Sequence, residues 1–236
     1  MDLTNIKDKV TVKVQPLLDL KDYAVVCYEV LSSFISNTEI AGFLVDNNKY
    51  YLNSAEILDR VLSKCKISSG KKLAVNINEN EIMNPSLIKS ITTVCAKYNF
   101  PLKDIVVEIS EEFSANSMLG VESILNNLNA SGITLALDDY GAGKKIPEQT
   151  LKHFPFSIIK FDRLFLSNTS DEATVANVLS EHIQIARALN CKTVIEGIEN
   201  TNDLKAALDV GFDMGQGYFL GLPRDIEEIN TNGEIL

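Results

Sequence analysis

Short runs of aliphatic and β-branched residues alternate along this chain with longer segments whose apolar residues recur at helical spacing. The strand-like runs are VTVKVQPLL from Val10, AVVCYEVL from Ala24, KLAVNI from Lys72, DIVVEI from Asp104, ITLALDD from Ile133, SIIKFD from Ser157, KTVIEG from Lys192 and a weaker one over Met214–Phe219. Between them, NSAEILDRVLSKC, NPSLIKSITTVCAKY, SMLGVESILNNLN, DEATVANVLSEHIQIARALN and NDLKAALDVG carry the helical period. Asn84-Pro85 reads as an N-cap followed by proline at the first helical position, and Gly132 and Gly211 stand just past helical patterns. Runs such as IVVEI and SIIKF are apolar on both faces, as in a parallel sheet covered by helices. Repeated βα units of this kind predict a doubly wound sheet or a (β/α)8-type barrel. The first two runs, joined by the short DLKDY segment, predict an antiparallel hairpin instead. No linker, repeat or low-complexity tract divides the chain, so residues 1–236 read as one domain. Only the polar stretch from Ser36 and the tail EEINTNGEIL are irregular.

Composition narrows the function. The chain has 236 residues, 45% of them hydrophobic, enough to bury a core without a disulfide or a structural metal. Its formal charge of -10 argues against tracking a nucleic-acid polymer, which needs clustered Lys and Arg. A small phosphorylated ligand stays open if cations supply the positive charge. The four cysteines, Cys27, Cys65, Cys95 and Cys191, form no metal-ligand spacing and read as small buried hydrophobes. The N-terminus lacks an apolar signal core, and no run approaches the ~18 apolar residues of a membrane span. A reducing, cytoplasmic setting without membrane contact is expected.

Polar residues stand at telling positions. Glu29, Asn76, Glu108, Asp138, Lys160 and Glu196 each lie within or at the end of a different strand-like run, and Asp139 follows Asp138 directly. One carboxylate at a strand end is explained as a helix cap or turn residue. In a barrel, however, the strand ends converge on one face, and these groups would meet there. Uncompensated carboxylates raise one another's pKa, and a pair of divalent cations, helped by Lys160, is the natural neutraliser. Oxygen ligands including an amide suit Mg²⁺ or Mn²⁺ rather than zinc. DDYGAGKK fails the P-loop spacing, no serine elbow is present, and His153 and His182 read as surface or helix-packing residues.

Taken in order, these motifs resemble the EAL domain, the cyclic-di-GMP phosphodiesterase domain of bacterial signalling. The name motif stands here as Glu29-Val30-Leu31, preceded by Gln15-Pro16. LAVNINENEI, VVEISEE, LALDDYGAG, IIKFDRLF, VIEGIEN and GQGYFLGLP follow, so the match runs from Gln15 to Pro223. The resemblance implies a TIM-like (β/α)8 barrel with an antiparallel first strand. It implies two Mg²⁺ or Mn²⁺ ions, one on Glu29, Asn76, Glu108 and Asp138, the other on Asp138, Asp139 and Glu196. A water acidified by both ions would open cyclic-di-GMP to linear pGpG, with Lys160 orienting that water or stabilising phosphoryl charge and Glu196 serving as ligand or base. Glu111 resembles the acid that steadies the loop after Asp139. Gln15, Leu31, Ser33, Glu199 and Gln216 fall at substrate-facing or site-shaping positions.

Two departures bear on substrate and regulation. Ser33 stands where the family usually has a phosphate-contacting arginine, and Gly141-Ala142-Gly143-Lys144-Lys145 replaces the usual loop. They leave two rivals to the enzyme reading. One is an EAL-like module that binds cyclic-di-GMP or a protein partner with weak or no turnover; the other is a metal-dependent hydrolase of a different phosphodiester. A homodimer is compatible with the residues and not demanded by them.

Overall fold

The computed structural model of the protein describes residues 10–34, 52–64, 70–111, 115–141, 151–167 and 172–229. Eight strands close into a barrel: β1 (Val10–Asp19), β2 (Val25–Phe34), β3 (Lys72–Asn76), β4 (Ile105–Ser110), β5 (Thr134–Tyr140), β6 (Ile158–Phe161), β7 (Lys192–Ile195) and β8 (Met214–Gly215). Strands β2 to β8 run parallel in chain order, and β1 closes the ring by pairing antiparallel with both β2 and β8. This is the TIM-like barrel with an antiparallel first strand. Because β8 covers only Leu18 and Asp19 of β1, a ninth strand, β9 (Arg224–Asp225), takes up the same edge opposite Lys13 and Val14. It removes an open edge that would otherwise invite pairing with another chain.

The helices follow the strands: α1 (Ser54–Lys64), α2 (Glu79–Ile82), α3 (Leu87–Lys97), α4 (Ala115–Ala130), α5 (Leu164–Ser167), α6 (Glu172–Ala188) and α7 (Thr201–Val210). Helix α1 starts on a capping box, in which Asn53 Oδ1 accepts from the Glu56 amide at 2.9 Å and Glu56 Oε2 accepts from the Asn53 amide at 3.0 Å. It buries Leu58, Val61 and Leu62, three and four residues apart, against the sheet. Asn84 is not the N-cap: its Oδ1 accepts from the Ser86 amide at 2.9 Å in a turn that holds Pro85, and the helix starts at Leu87 with Ser86 as the cap residue. Gly211 ends α7 with φ of +89°, a left-handed stop that costs glycine nothing. Helix α2 has no apolar stripe and escapes the periodicity; its signal is the Asn78-x-x-Glu81 capping box.

Two cores lie on the two faces of the sheet. Between strands and helices, Leu73, Val75, Ile105, Val107, Leu135, Leu137, Ile159, Phe161 and Ile195 meet the helix stripes. Inside the barrel, Leu17, Cys27, Ala74, Val106, Ala136, Val194 and Met214 form a separate plug, with Ile158 packed against it. Each of the eight strands contributes one plug residue. Cys27, Cys95 and Cys191 are buried free thiols, and Cys65 lies outside the described residues. Burial pushes the Cys27 thiol well up, so it behaves as a hydrophobe. Among the described residues no helix is long and apolar enough to cross a membrane.

The seam between β7 and the short β8 is held by Asp213. Its Oδ2 accepts from the amide and hydroxyl of buried Thr193 at 2.9 and 3.0 Å, and its Oδ1 pairs with Lys192 Nζ at 2.7 Å. Partial burial works to raise the Asp213 carboxyl, but the hydrogen bonds from Lys192 and Thr193 outweigh it and hold the group low. Asp213→Ala should therefore cost about 2 kcal/mol, because it strands the Thr193 donors in the interior. A depressed carboxyl contributes stability above its unfolded pKa, ~3.9, and loses it as pH falls through the folded value. Urea unfolding of both proteins should show the gap at pH 7 and a narrowing gap near pH 3. Identical midpoints at pH 7 would count against this seam.

Candidate active site

Successive residues of a strand point to opposite faces, so the residue two positions beyond each plug residue also points into the barrel. Those residues are Glu29, Asn76, Glu108, Asp138, Lys160, Glu196 and Gln216, together with Gln15 two positions before Leu17 on the reversed β1. A complete polar ring thus sits directly above a complete apolar plug. Strand register sets the neighbours: Gln15 lies opposite Glu29, and Asn76 lies beside Glu108.

Lys160 stands at the centre of this ring, 1% exposed. Its Nζ lies 3.2 Å from Glu29 Oε2, 3.1 Å from Glu108 Oε1, 2.8 Å from Asp138 Oδ1 and 2.9 Å from Glu196 Oε1. Burial disfavours the ammonium, but the four carboxylates outweigh it and hold Lys160 well above the usual lysine range. The amide of Asn76 donates to Glu29 Oε1 at 3.2 Å and to Glu108 Oε2 at 3.3 Å. Gln216 Nε2 donates to Glu29 Oε2 at 2.8 Å and to Gln15 Oε1 at 3.2 Å, and Gln15 Nε2 donates to the Gly221 carbonyl at 3.0 Å.

Asp139 joins the ring by breaking the strand rule. By alternation it should point away from Asp138, toward the helices. Instead the β5–β6 register shifts between Leu137 and Tyr140, and Asp139 takes a φ of +55°. This bulge brings the Asp139 carboxylate round to Asp138 and Glu196. Glu111, 1% exposed, brackets the irregularity: its amide donates to the Asp138 carbonyl at 2.9 Å, and its Oε2 accepts from the Gly141 amide. Gly141 has φ of +92°, and a Cβ there would lie 2.1 Å from the Phe165 ring, so only glycine fits.

Five carboxylates crowd one ammonium, and the excess shows in their titration. Burial, then the charge of Glu29, pushes Glu108 well up. Burial, then Asp138 and Glu29 against the opposing pull of Lys160, pushes Glu196 up to about 7, and burial with the Asp138 charge pushes Asp139 to about 6. Burial also works to raise Glu29, but Lys160 and hydrogen bonds from Gln216 and Asn76 hold it low. The donor set fits cations. Glu29, Glu108 and Asp138 form one triad and Asp138, Asp139 and Glu196 a second, each with carboxylate oxygens within 4.8 Å of one another. Oxygen-only ligands sharing one bridging carboxylate suit two hard divalent ions. Two cavities open from the ring. One of about 370 Å³ is bordered by Gln15, Glu29, Glu196, Gln216, Arg163 and Tyr218, and one of about 740 Å³ by Asn76, Ser32, Asn78 and Glu81; Leu31 borders both.

The sequence profile of the EAL domain matches residues 4–223. The chain belongs to the EAL domain family. The cyclic di-GMP phosphodiesterase RocR of Pseudomonas aeruginosa is 28% identical over 151 residues, which are 64% of this chain and 38% of RocR. The signaling protein YkoW of Bacillus subtilis is 25% identical over 194 residues, 80% of this chain and 23% of YkoW. The chain therefore spans well under half the length of these relatives. In fold it matches the PaMucR phosphodiesterase in complex with c-di-GMP (TM-score 0.81, 21% identity, 97% of this chain and 98% of that one). It likewise matches a standalone versatile EAL protein from Vibrio cholerae O395 in its c-di-GMP-bound form (TM-score 0.79, 20% identity, 92% and 93%).

Within this EAL domain, the structure brings Glu29, Asn76, Glu108, Asp138, Asp139, Lys160, Glu196, Gln15 and Gln216 into one cluster. Glu199 stands apart at the rim, paired with Arg163 Nη1 at 2.7 Å. The Ser33 backbone continues β2 opposite Thr11, while its side chain, like Lys144 and Lys145, lies outside the described residues. Sequence reasoning missed Arg163 as a cavity residue. It also gave no partner to Tyr140, whose hydroxyl lies 3.0 Å from His182 Nδ1. His182 does pack inside, as one of the two readings given for it; His153 is exposed.

The raised acids make a signed prediction for metal-free protein. A carboxyl whose folded pKa exceeds its unfolded value binds more protons in the folded state, so stability falls as pH rises from ~4.5 through the folded pKa. Glu196 at about 7 and Asp139 at about 6 place that loss between about pH 4 and 7. Melting in chelator should therefore drop in temperature across this window. Added Mg²⁺ or Mn²⁺ should raise the melting temperature, and by more at pH 8 than at pH 6. A pH-independent response to metal would contradict the charge surplus.

Proposed function

We propose that this domain hydrolyses cyclic-di-GMP to linear pGpG with two divalent cations. The observation that carries this reading is the pair of carboxylate triads sharing Asp138 around Lys160 at the barrel mouth. Membership of the family supports the substrate, as does the arrangement of two cavities meeting at Leu31, which suits a ligand of two nucleoside halves. When bound, two cations supply positive charge that polarises the phosphodiester and acidifies the attacking water.

Glu29, Asn76, Glu108 and Asp138 would hold one ion, and Asp138, Asp139 and Glu196 the other. Lys160 keeps its proton at the centre of the ring and offsets charge on the carboxylates and the phosphoryl oxygens. Glu196 is the most open of its four partners, with a side chain 21% exposed against 2–11% for the others. It borders the smaller cavity and is the acid placed to take a proton from water. Asn76 and Gln216 donate to the carboxylates and so fix which oxygens face the ions. Gln15 ties this arrangement to the loop after β8 through Gly221, where Tyr218 borders the cavity. Glu199 and Arg163 offer a carboxylate and a guanidinium to base edges at the rim, and Leu31 an apolar wall between the cavities. In this reading the protein works in a reducing cytoplasm.

Incubation with cyclic-di-GMP and Mg²⁺ or Mn²⁺ should yield pGpG on chromatography. Binding of the nucleotide without product at micromolar enzyme would favour the binding-module rival, and turnover of other phosphodiesters alone would favour a different hydrolase. Asp138→Asn should lower kcat by about a hundredfold or more while the protein stays folded, because the amide is a poor bridge between two cations. Ca²⁺ should not support turnover and should compete with Mg²⁺, since its longer bonds and looser coordination spoil the spacing. Equal rates in Ca²⁺ and Mg²⁺ would sink the two-ion assignment.

A further inference from the structure

Asp139 reaches the ring only through a left-handed backbone conformation, which is strained for a non-glycine residue and persists only where neighbours enforce it. Glu111 supplies one constraint, gripping Asp138 through its backbone and Gly141 through its side chain. The second is at Tyr140, the residue immediately after Asp139. Tyr140 is 4% exposed, returns to register opposite Phe161, and sets its ring edge-on to that ring at 5.2 Å. Its hydroxyl lies 3.0 Å from His182 Nδ1 on α6. His182 in turn packs edge-on against Phe165 at 5.4 Å, and Phe165 presses on Gly141. Leu179, Ile183 and Ala186 are buried on the same helix, so the imidazole is fixed by the packing of α6.

A phenylalanine at 140 would fill the same space. The buried hydroxyl and imidazole each lose water, and their mutual bond roughly offsets that loss, so the pair adds direction more than net stability. We propose that the Tyr140–His182 hydrogen bond is a positioning device that holds the Asp139 carboxylate at the second cation position. This inference rests on the two-cation reading above and extends it to residues that touch neither ion nor substrate.

The test is Mn²⁺ titration of chelator-treated protein, followed by electron paramagnetic resonance, for wild type, Tyr140→Phe, His182→Leu and the double variant. Tyr140→Phe should melt within a few degrees of wild type yet bind one of two Mn²⁺ ions about tenfold more weakly, as expected for removal of a ligand-orienting partner. The double variant should be no worse than the singles, because both remove the same bond. His182→Gln, which keeps a hydrogen-bonding group, should restore part of the affinity. With cyclic-di-GMP, kcat should fall while KM stays. Unchanged Mn²⁺ affinity in Tyr140→Phe, additive losses in the double variant, or a wild type that binds a single Mn²⁺ would each overturn the proposal. If His182→Leu does not fold, the Tyr140→Phe titration decides alone. A wild type that binds two Mn²⁺ ions and shows the loss in Tyr140→Phe, but leaves cyclic-di-GMP intact, upholds the positioning role and overturns only the phosphodiesterase reading.

Discussion

A closed eight-stranded barrel admits one ring of inward side chains for every two residues of strand, and each ring must settle its own chemistry. Here the lower ring is filled by Leu17, Cys27, Ala74, Val106, Ala136, Ile158, Val194 and Met214, an apolar floor beneath the site. The ring above it is wholly polar. Its charges face an apolar floor, so they are balanced by one another or by ions entering from the mouth. Lys160 is the internal part of that balance, within 3.2 Å of four carboxylates. One ammonium is too little for five acids, and burial, reinforced by the neighbouring carboxylates, raises the pKa values of Glu108, Glu196 and Asp139. An unbalanced ring is the physical basis of cation affinity.

The same constraint explains why so much was legible without coordinates. The lumen residues alternate with helix-facing ones, so a lone Glu, Asn, Asp or Lys in an otherwise apolar run stands out in each strand. Convergence then follows from closure. What was not legible was local. β9 is two residues long and exists because β8 leaves part of β1 uncovered, a fact of tertiary fit that no apolar run reports. The run over Met214–Phe219 shrinks to two strand residues because Gln216 turns its backbone to Ile195 and Gly217 passes within Cβ contact of the Ile198 backbone. Helix α2 was not read from the sequence, since it has no apolar stripe and only a capping box marks it.

Asp139 shows the limit more sharply. Alternation places it on the wrong face, and only the family resemblance put it among the ligands. The structure supplies the missing reason, a one-residue bulge that spends a strained φ to double the carboxylates on one strand. Local rules fail where chemistry needs them to, and the compensation lies in buried polar contacts around Glu111 and Tyr140. The Glu111 contact was signalled only by the family resemblance, and the Tyr140 contact by nothing, because a tyrosine at the end of a strand looks like an ordinary packing residue.

The reversal of β1 also decides how this barrel can be wired into a larger chain. In an all-parallel barrel the first strand enters from the floor, so anything joined before it hangs below, opposite the mouth. Here Val10 lies opposite Phe34, at the upper end of β2, and the strand descends from there past Gln15 to Asp19. A segment joined ahead of Val10 therefore attaches on the mouth side, five residues along the backbone from a member of the polar ring. Along β1 the chain meets Gln15, which Gln216 joins to Glu29 by hydrogen bonds on the same side of the barrel. The antiparallel strand thus makes the backbone enter the barrel at Val10 from the side that carries the polar ring.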